Sequence, residues 1–168
     1  MALGLSFFNT RWAACQNVEP YEIPQYGIVE IVGIDQGEGH ADASPIVFRV
    51  KRPSADNISP IGIVGPGSIP PAIAGSDLYP RGYMVFDGLA SVEPASTLGS
   101  TTNLGASQNS YKGLLDGIGM RVLDYDGVLA LVSLSGPDLA NLPVVNQPDY
   151  AICLDSSGCL CKTPVNTC

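Results

Sequence analysis

The chain has 168 residues, of which only 14% are charged, well below the roughly 25% of an average soluble protein. Its formal net charge is −8, from 16 acidic and 8 basic residues, and this negative field disfavours nucleic-acid binding. No apolar run approaches the ~20 residues that span a bilayer, so we expect neither a nucleic-acid nor a membrane partner.

The chain contains 19 Gly and 14 Pro, which divide it into short apolar runs from end to end. This punctuation predicts an all-β fold, a single β-barrel or jelly-roll-like β-sandwich with extended terminal arms and long ordered loops. The length corresponds to one domain. We expect an N-terminal arm at 1–19, a β-domain at 20–150, and a Cys-rich tail at 151–168 that packs on the domain or on a neighbour.

The first segment carries large aromatic side chains among small residues. Phe7, Phe8 and Trp12 are candidate interface anchors, because aromatic rings give much contact area for little lost entropy. A local helix or an intramolecular strand is the alternative interpretation. The segment lacks the positive n-region of a signal peptide, so we expect a mature N-terminus.

Strands are easier to place than helices along the next part of the chain. Residues 27–34 and 45–51 are β-branched runs bounded by turn residues, and Ile61–Val64 is a shorter run of the same kind. The segment 65–81 is rich in proline, which cannot donate a ladder hydrogen bond. We therefore predict strands in the first three and a long ordered connection in the fourth.

Two Asp-Gly dipeptides separate apolar runs in the manner of hairpin turns. Asp126-Gly127 follows the run 120–125 and precedes 128–134, while Asp87-Gly88 divides 83–86 from 89–92. Asp-Gly adopts positive φ angles at little cost, so each pattern predicts a β-hairpin. For Asp87-Gly88, a bulge in one long strand is the alternative.

Two further segments have weaker patterns. A third dipeptide, Asp116-Gly117, is expected to open the strand that follows it. The segment 94–112 is rich in Ser, Thr, Gly and Asn, with little to bury. It predicts a surface loop or a flexible insertion.

The only histidine lies in an acidic loop. His40 is grouped with Asp35, Glu38 and Asp42, a set that could bind a divalent cation but matches no specific metal-binding spacing. We interpret it as a solvated acidic turn.

The segment Asp124-Tyr-Asp-Gly127 resembles the start of a calcium loop. It lacks the third ligand position and the later bidentate glutamate of that motif. A hairpin turn already explains the sequence, so we predict no metal there.

Nothing else in the chain has the pattern of a catalytic site. There is no G-x-S-x-G elbow, and the glycine pairs lack the spacing of a phosphate loop. A carboxylate pair for glycoside hydrolysis is not singled out. We therefore predict a protein that is not an enzyme and that uses no cofactor.

The five cysteines are unevenly placed, with four of them near the C-terminus. Their C-x5-C-x-C-x6-C spacing suits structural zinc poorly, since zinc sites use closer pairs. Disulfides would stabilise a tail with little core of its own, and free thiols are the other alternative. The disulfide candidates are Cys15, Cys153, Cys159, Cys161 and Cys168.

Several turn-and-strand phrases resemble small β-rich structural proteins of tailed bacteriophages. They are Pro24-Gln-Tyr-Gly-Ile-Val-Glu-Ile31, Phe48-Arg-Val-Lys-Arg-Pro-Ser-Ala-Asp56, Gly65-Pro-Gly-Ser-Ile69 and Arg81-Gly-Tyr-Met-Val-Phe-Asp-Gly-Leu-Ala90. The resemblance covers residues 20–134. It does not extend to the Cys-rich tail.

The resemblance implies a virion component. We expect a capsid decoration (cement) protein at the capsid surface that binds the major capsid protein or other virion proteins as a homo-oligomer, a trimer. A tail or fibre subunit is the first alternative. A secreted carbohydrate- or surface-binding module is the second, with Tyr79, Tyr83, Tyr111 and Tyr125 as stacking residues.

Overall fold

A computed structural model describes residues 10–35, 46–76, 79–136, 142–145, 150–154 and 160–164. The described residues form strands and no helix, which confirms the all-β class, and they include no helix suited to crossing a membrane. The strands are β1 (Arg11–Asn17), β2 (Ile28–Asp35), β3 (Val47–Lys51), β4 (Ile61–Val64), β5 (Arg81–Val92), β6 (Asn103–Ala106), β7 (Gly113–Leu115), β8 (Gly119–Tyr125), β9 (Ala130–Leu134), β10 (Val144–Val145), β11 (Tyr150–Leu154) and β12 (Leu160–Pro164).

The first five strands form a closed barrel. They are ordered β1-β3-β2-β4-β5, and the barrel closes because β1 also pairs with β5. The pairing of β1 with β3 is parallel, whereas the other pairings within the barrel are antiparallel. Ala14 shows the closure, since it lies opposite Val47 on one side and Tyr83 on the other. The barrel alternative of the sequence analysis is confirmed.

Strand β5 belongs to two sheets at once. Its first half pairs with β1 and β4, and its second half begins an outer sheet ordered β5-β9-β8-β6-β7. The predicted hairpin at Asp87-Gly88 is wrong, because Arg81–Val92 is one strand of 12 residues. Gly88 has a φ of 101°, and the register with β1 shifts beside Asp87. The dipeptide therefore marks an irregularity where the strand passes from one sheet to the other, which was the alternative interpretation.

The two sheets enclose two hydrophobic clusters. Successive side chains of a strand point to opposite faces, so Val29 and Met84 enter one cluster while their neighbours Ile28 and Val85 enter the other. The first cluster also holds Phe48 and fills the barrel. The second lies between the outside of the barrel and the outer sheet. Strand β4 is buried along its whole length because it separates the two clusters.

The N-terminal segment contributes to the barrel. Over Arg11–Asn17 the structure has the intramolecular strand rather than a free arm, and Cys15 and Asn17 are fully buried in it. The described barrel thus begins within the range 1–19 that the sequence analysis assigned to the arm. The parallel neighbour β3 is distant in the sequence, so local pattern gave no indication of this pairing.

The segment 94–112 is more ordered than the sequence predicts. It contains β6, and Leu98, Leu104 and Ala106 are buried in the cluster under the outer sheet. The expectation that it has little to bury is therefore wrong. A few apolar residues spaced among polar ones were sufficient, because β6 lies between β7 and β8 in the outer sheet and these side chains join the cluster beneath it.

The second predicted hairpin is confirmed. Strands β8 and β9 pair antiparallel, with Tyr125 opposite Ala130, so the connecting loop has four residues rather than two. The Oδ1 atom of Asp126 accepts hydrogen bonds from the backbone N–H groups of Val128 (2.8 Å) and Leu129 (2.7 Å). The turn is therefore stabilised by the aspartate side chain as well as by the glycine that follows it.

The strands after residue 136 extend the fold in two places. Strand β10 pairs in parallel with the end of β2, where Val144 lies opposite Ile34. Strands β11 and β12 form a separate antiparallel pair within the predicted tail. In this pair Cys153 and Cys161 occupy opposite positions of the register.

Candidate functional site

An apolar surface lies on the outside of the barrel where β1, β5 and β9 meet. We call it the Trp12 surface and define it by Trp12, Tyr26, Pro66, Tyr83 and Leu131. Trp12 is 51% exposed, Tyr83 is 69% exposed and Leu131 is 38% exposed, although all three are large hydrophobic side chains. Singly exposed residues of this kind are ordinary, whereas several on one face form a candidate interaction surface.

Register explains why these side chains share one face. Residues directly opposite in an antiparallel pair point to the same side of the sheet, and Trp12 lies opposite Val85 while Ala14 lies opposite Tyr83. The intervening residues Ala13 and Met84 point into the barrel, where Met84 is fully buried. The alternation of β1 and β5 therefore directs Trp12 and Tyr83 outward together.

A glycine provides the support for the Trp12 ring. A Cβ atom at Gly65 would collide with the Cζ3 atom of the indole and would lie 3.0 Å from its Cη2 atom. The backbone of Gly65 is fixed by a hydrogen bond from its N–H to the Tyr83 carbonyl (2.9 Å). The benzene edge of the indole therefore packs closely against the Gly65 main chain, while about half of the residue stays exposed.

A shallow apolar cavity of about 190 Å³ adjoins the ring. Tyr26, Val85, Leu89 and Leu131 contribute to its walls together with Trp12. The nearest ion pair is Arg11–Asp87 at 3.6 Å, and it lies on the edge of the surface. The centre of the Trp12 surface is thus apolar and its edge is charged, as in protein–protein interfaces.

Of the three predicted anchors, the structure describes Trp12 alone. Phe7 and Phe8 lie outside the described residues. So do Glu38, His40 and Asp42 of the acidic loop. Asp35 ends β2, where its Oδ2 atom accepts a hydrogen bond from the Gln16 Nε2 atom (2.8 Å). Within the described ranges, no three His, Cys, Asp or Glu side chains converge as a metal site requires.

The calcium-like segment Asp124–Gly127 is a hairpin turn. The Tyr125 hydroxyl donates a hydrogen bond to the Gly127 carbonyl (2.8 Å). The Asp126 carboxylate accepts hydrogen bonds from two backbone N–H groups of the same turn. The pKa of the Asp126 carboxyl is lowered by hydrogen bonds from the backbone N–H groups of Leu129 and Val128. Its charge therefore stabilises the turn itself.

Cys15 must be removed from the disulfide candidates. It is a free thiol, fully buried in the barrel, and burial raises its pKa to about 12. Cys159 and Cys168 lie outside the described residues, and for Cys153 and Cys161 the backbone register alone is described. The tail disulfides stay a prediction.

The four tyrosines proposed for stacking do not form one platform. Tyr83 belongs to the Trp12 surface, Tyr125 to the hairpin turn, and Tyr79 stacks with the Arg49 guanidinium at 5.4 Å. Tyr111 lines a second cavity, which Tyr79, Tyr83 and Tyr125 do not line.

The sequence analysis identified Trp12 but missed the residues that surround it. Tyr26, Gly65 and Leu131 belong to three different segments that only the barrel closure and the β8–β9 hairpin bring together. One signal was available in the unbroken apolar run Val128–Val132, since such a run in a strand with one face in the core must present some apolar side chains to solvent.

A scan of protein-family models, a search of curated proteins and a search of solved structures each gave no match.

Proposed function

We propose that the protein is a virion structural protein without enzymatic activity, a capsid decoration (cement) protein that stabilises the shell at the capsid surface. It would act as a homo-oligomer, a trimer, which bridges capsomers of the major capsid protein. The observation that carries this proposal is the Trp12 surface, where a half-exposed tryptophan lies on the Gly65 backbone beside an apolar cavity.

The mechanism of such a protein is mechanical. Apolar area buried between neighbouring subunits must be exposed again before a shell can rupture, so a bound decoration protein raises the free energy of rupture. Low charge density supports the proposal, because the centres of interfaces are depleted in charged residues. The resemblance of residues 20–134 to phage structural proteins supports it as well.

Quantitative mass spectrometry of purified particles tests the proposal directly. The virus that carries this gene is purified, and the copies of this chain are counted relative to the major capsid protein. A copy number that matches the capsomer junctions is the expected result. A count that matches a tail or fibre would instead assign the protein to that structure, and its absence from particles would overturn any virion role.

A binding assay tests the Trp12 surface. Particles that lack the protein are mixed with purified wild-type chain or with Trp12→Ala, and the bound fraction is measured after pelleting. Buried tryptophan anchors contribute about 2 kcal/mol or more, so we expect at least ~30-fold weaker binding. Ile73→Ala, another exposed apolar residue outside this surface, is the control and should bind normally. Normal binding by a folded Trp12→Ala would contradict the assignment of the surface.

A further inference from the structure

Strand β5 has an open edge beside the Trp12 surface. Over its first half, β5 is paired on both edges, by β1 on one side and by β4 on the other. Over residues 88–92, its only strand partner among the described residues is β9. A strand has two edges along which it can pair, so one edge of this second half is left without a partner strand.

Hydrogen bonds show that the open edge is the one that faces β1. In an antiparallel sheet the N–H and C=O groups of one residue point to the same edge, and those of the next residue point to the other edge. The Leu89 N–H points to the β1 side, because it donates to the Thr10 Oγ1 atom (3.2 Å). Ser91 therefore points to this side as well, while Ala90 points to β9.

The open edge is short, because other pairings bound it at both ends. At one end Arg11 lies opposite Asp87. At the other end the Gly113 N–H donates to the Glu93 carbonyl (2.9 Å), which by the same alternation points to the β1 side. Strand β7 thus begins where the open edge ends, and residues 89–92 lie between the two pairings.

The backbone groups on this edge lack partners within the described part of the chain. They are the Leu89 carbonyl and both the N–H and the carbonyl of Ser91. Leu89 and Ser91 are only partly exposed, and main-chain groups with little access to water are nearly always hydrogen-bonded in native proteins. An edge of this kind is suited to accept one further strand.

The apolar cavity of the Trp12 surface lies along the same edge. Leu89, Ala90 and Ser91 all line it. Consecutive side chains of a strand point to opposite faces, so a cavity that touches three consecutive residues extends past the edge of the strand. A strand added at this edge would therefore pair with β5 and fill the cavity at the same time.

The position of Thr10 identifies the occupant. Residues 1–9 precede Thr10 in the sequence and lie outside the described residues. They contain no acidic or basic side chain, which matches the apolar cavity. Because Thr10 is already bound to Leu89, this segment starts at the open edge, and its effective concentration there exceeds that of any separate chain.

The register of β1 predicts which side chain enters the cavity. Arg11 lies opposite Asp87, and an unbroken antiparallel register then places Phe8 opposite Ala90. Side chains alternate along a strand, so Phe8 shares a face with Trp12. Both Ala90 and Trp12 line the cavity. Phe8 is therefore the aromatic residue of the segment that is directed at it.

We propose that residues 6–9 continue β1 along the open edge of β5 in the same chain, with the Phe8 ring in the cavity beside Trp12. In this arrangement Phe8 anchors the segment to its own barrel, while Tyr83 and the exposed part of Trp12 stay available to a partner. The inference rests on the pairing of β5 and does not depend on the virion proposal.

Amide hydrogen exchange of the full chain, followed by NMR, tests the inference. The Ser91 N–H should exchange at least about a hundredfold more slowly than an exposed amide, because the added strand accepts its hydrogen bond. The Ala90 N–H points to β9, so its protection shows that the outer sheet is folded. Exchange of Ser91 at the rate of exposed amides, while Ala90 is protected, would overturn the inference.

The same measurement after dilution shows which chain supplies the strand. Pairing within one chain does not depend on concentration, so the protection of Ser91 should be unchanged when the protein is diluted about tenfold. Loss of this protection on dilution would show that a second copy supplies the segment, and it would overturn pairing within one chain.

Two variants of the full chain locate the ring. Phe8→Ala should speed the exchange of Ser91 about tenfold or more, as expected when one buried aromatic side chain is lost. Leu3→Ala removes an apolar side chain that lies beyond the paired residues 6–9, and it should exchange as the wild type does. Thermal melting checks the folding of both variants; if Phe8→Ala fails to fold, the wild-type exchange of Ser91 decides. Wild-type exchange in a folded Phe8→Ala, or an equal effect of the two variants, would overturn the placement of Phe8.

Discussion

Asn17 at the end of β1 is a buried polar residue whose side chain bonds three other residues. Its side chain is fully buried, and its Nδ2 group donates to the carbonyls of Tyr21 (2.6 Å) and Pro70 (2.9 Å). Its Oδ1 atom accepts from the Glu19 N–H (2.9 Å). One amide thus joins a barrel strand to the following turn and to the proline-rich connection that leads to β5.

Replacement of Asn17 by alanine removes all three of these bonds. At about 1 kcal/mol for each, we expect a loss of about 3 kcal/mol, a large part of the roughly 5–15 kcal/mol that stabilises a domain. Asn17→Asp keeps the shape but places a carboxylate oxygen against the two carbonyls. It should destabilise more at pH 7 than at pH 4, because protonation restores one donor and removes a buried charge.

Urea unfolding followed by circular dichroism measures these losses as changes in the free energy of unfolding. Asn103→Ala is the control, since Asn103 is exposed and bonds only its neighbour Thr102, at 3.3 Å, and it should cost less than about 0.5 kcal/mol. The reasoning is refuted if Asn17→Ala costs no more than the control, or if the stability of Asn17→Asp is the same at both pH values.

Other predictions concern a thiol, a close backbone contact and a turn. Burial raises the pKa of the Cys15 thiol from its ordinary 9.0 to about 12. The unfolded chain therefore loses this proton at a lower pH than the folded chain, and the free energy of unfolding falls as pH rises from 9.0 towards 12. An equally steep fall in Cys15→Ala would contradict this. Gly117→Ala would place a methyl 2.6 Å from the Gly105 Cα and should cost about 1–3 kcal/mol in urea unfolding. Gly136→Ala meets only the Asp87 side chain, at 3.3 Å, so it should cost less, and the reverse order would disprove the contact argument. Asp126→Ala should lower the urea midpoint at neutral pH and have no effect in strong acid. Folding lowers the pKa of the Asp126 carboxyl, so its charge adds stability above the ordinary pKa of 3.8, and this contribution is lost as the pH falls. Identical neutral midpoints of the variant and the wild type would count against this.

Tail chemistry is tested separately. The disulfide prediction is checked by measuring mass and thiol labelling in denaturant with and without reductant. Equal labelling of the tail cysteines in both conditions would show that they are free thiols.

Local patterns were sufficient where β-branched or apolar runs lie between clear turn residues. Strands β2, β3 and β4 follow from β-branched runs between turn residues, and the β8–β9 hairpin follows from Asp126-Gly127. In these segments the hydrophobic period, the turn chemistry and the final pairing all agree.

The sequence-based prediction was wrong where one strand, β5, belongs to two sheets. Asp87-Gly88 has the composition of a hairpin turn, yet β5 continues through it because β9 pairs with the second half of the strand. Leu104 lies in a segment rich in polar residues and glycine, and its side chain is buried only because the outer sheet brings it to the cluster that contains Val92 and Met120.

The closure of the barrel by β1 sets the order of events during synthesis. Both of its partners, β3 and β5, are synthesised after it, and neither is the next strand in sequence. Until β5 is complete, one edge of β1 has no partner, and an unpaired edge is prone to wrong pairing. The barrel therefore cannot close until the middle of the chain has been translated, and its closure depends on contacts between residues distant in sequence.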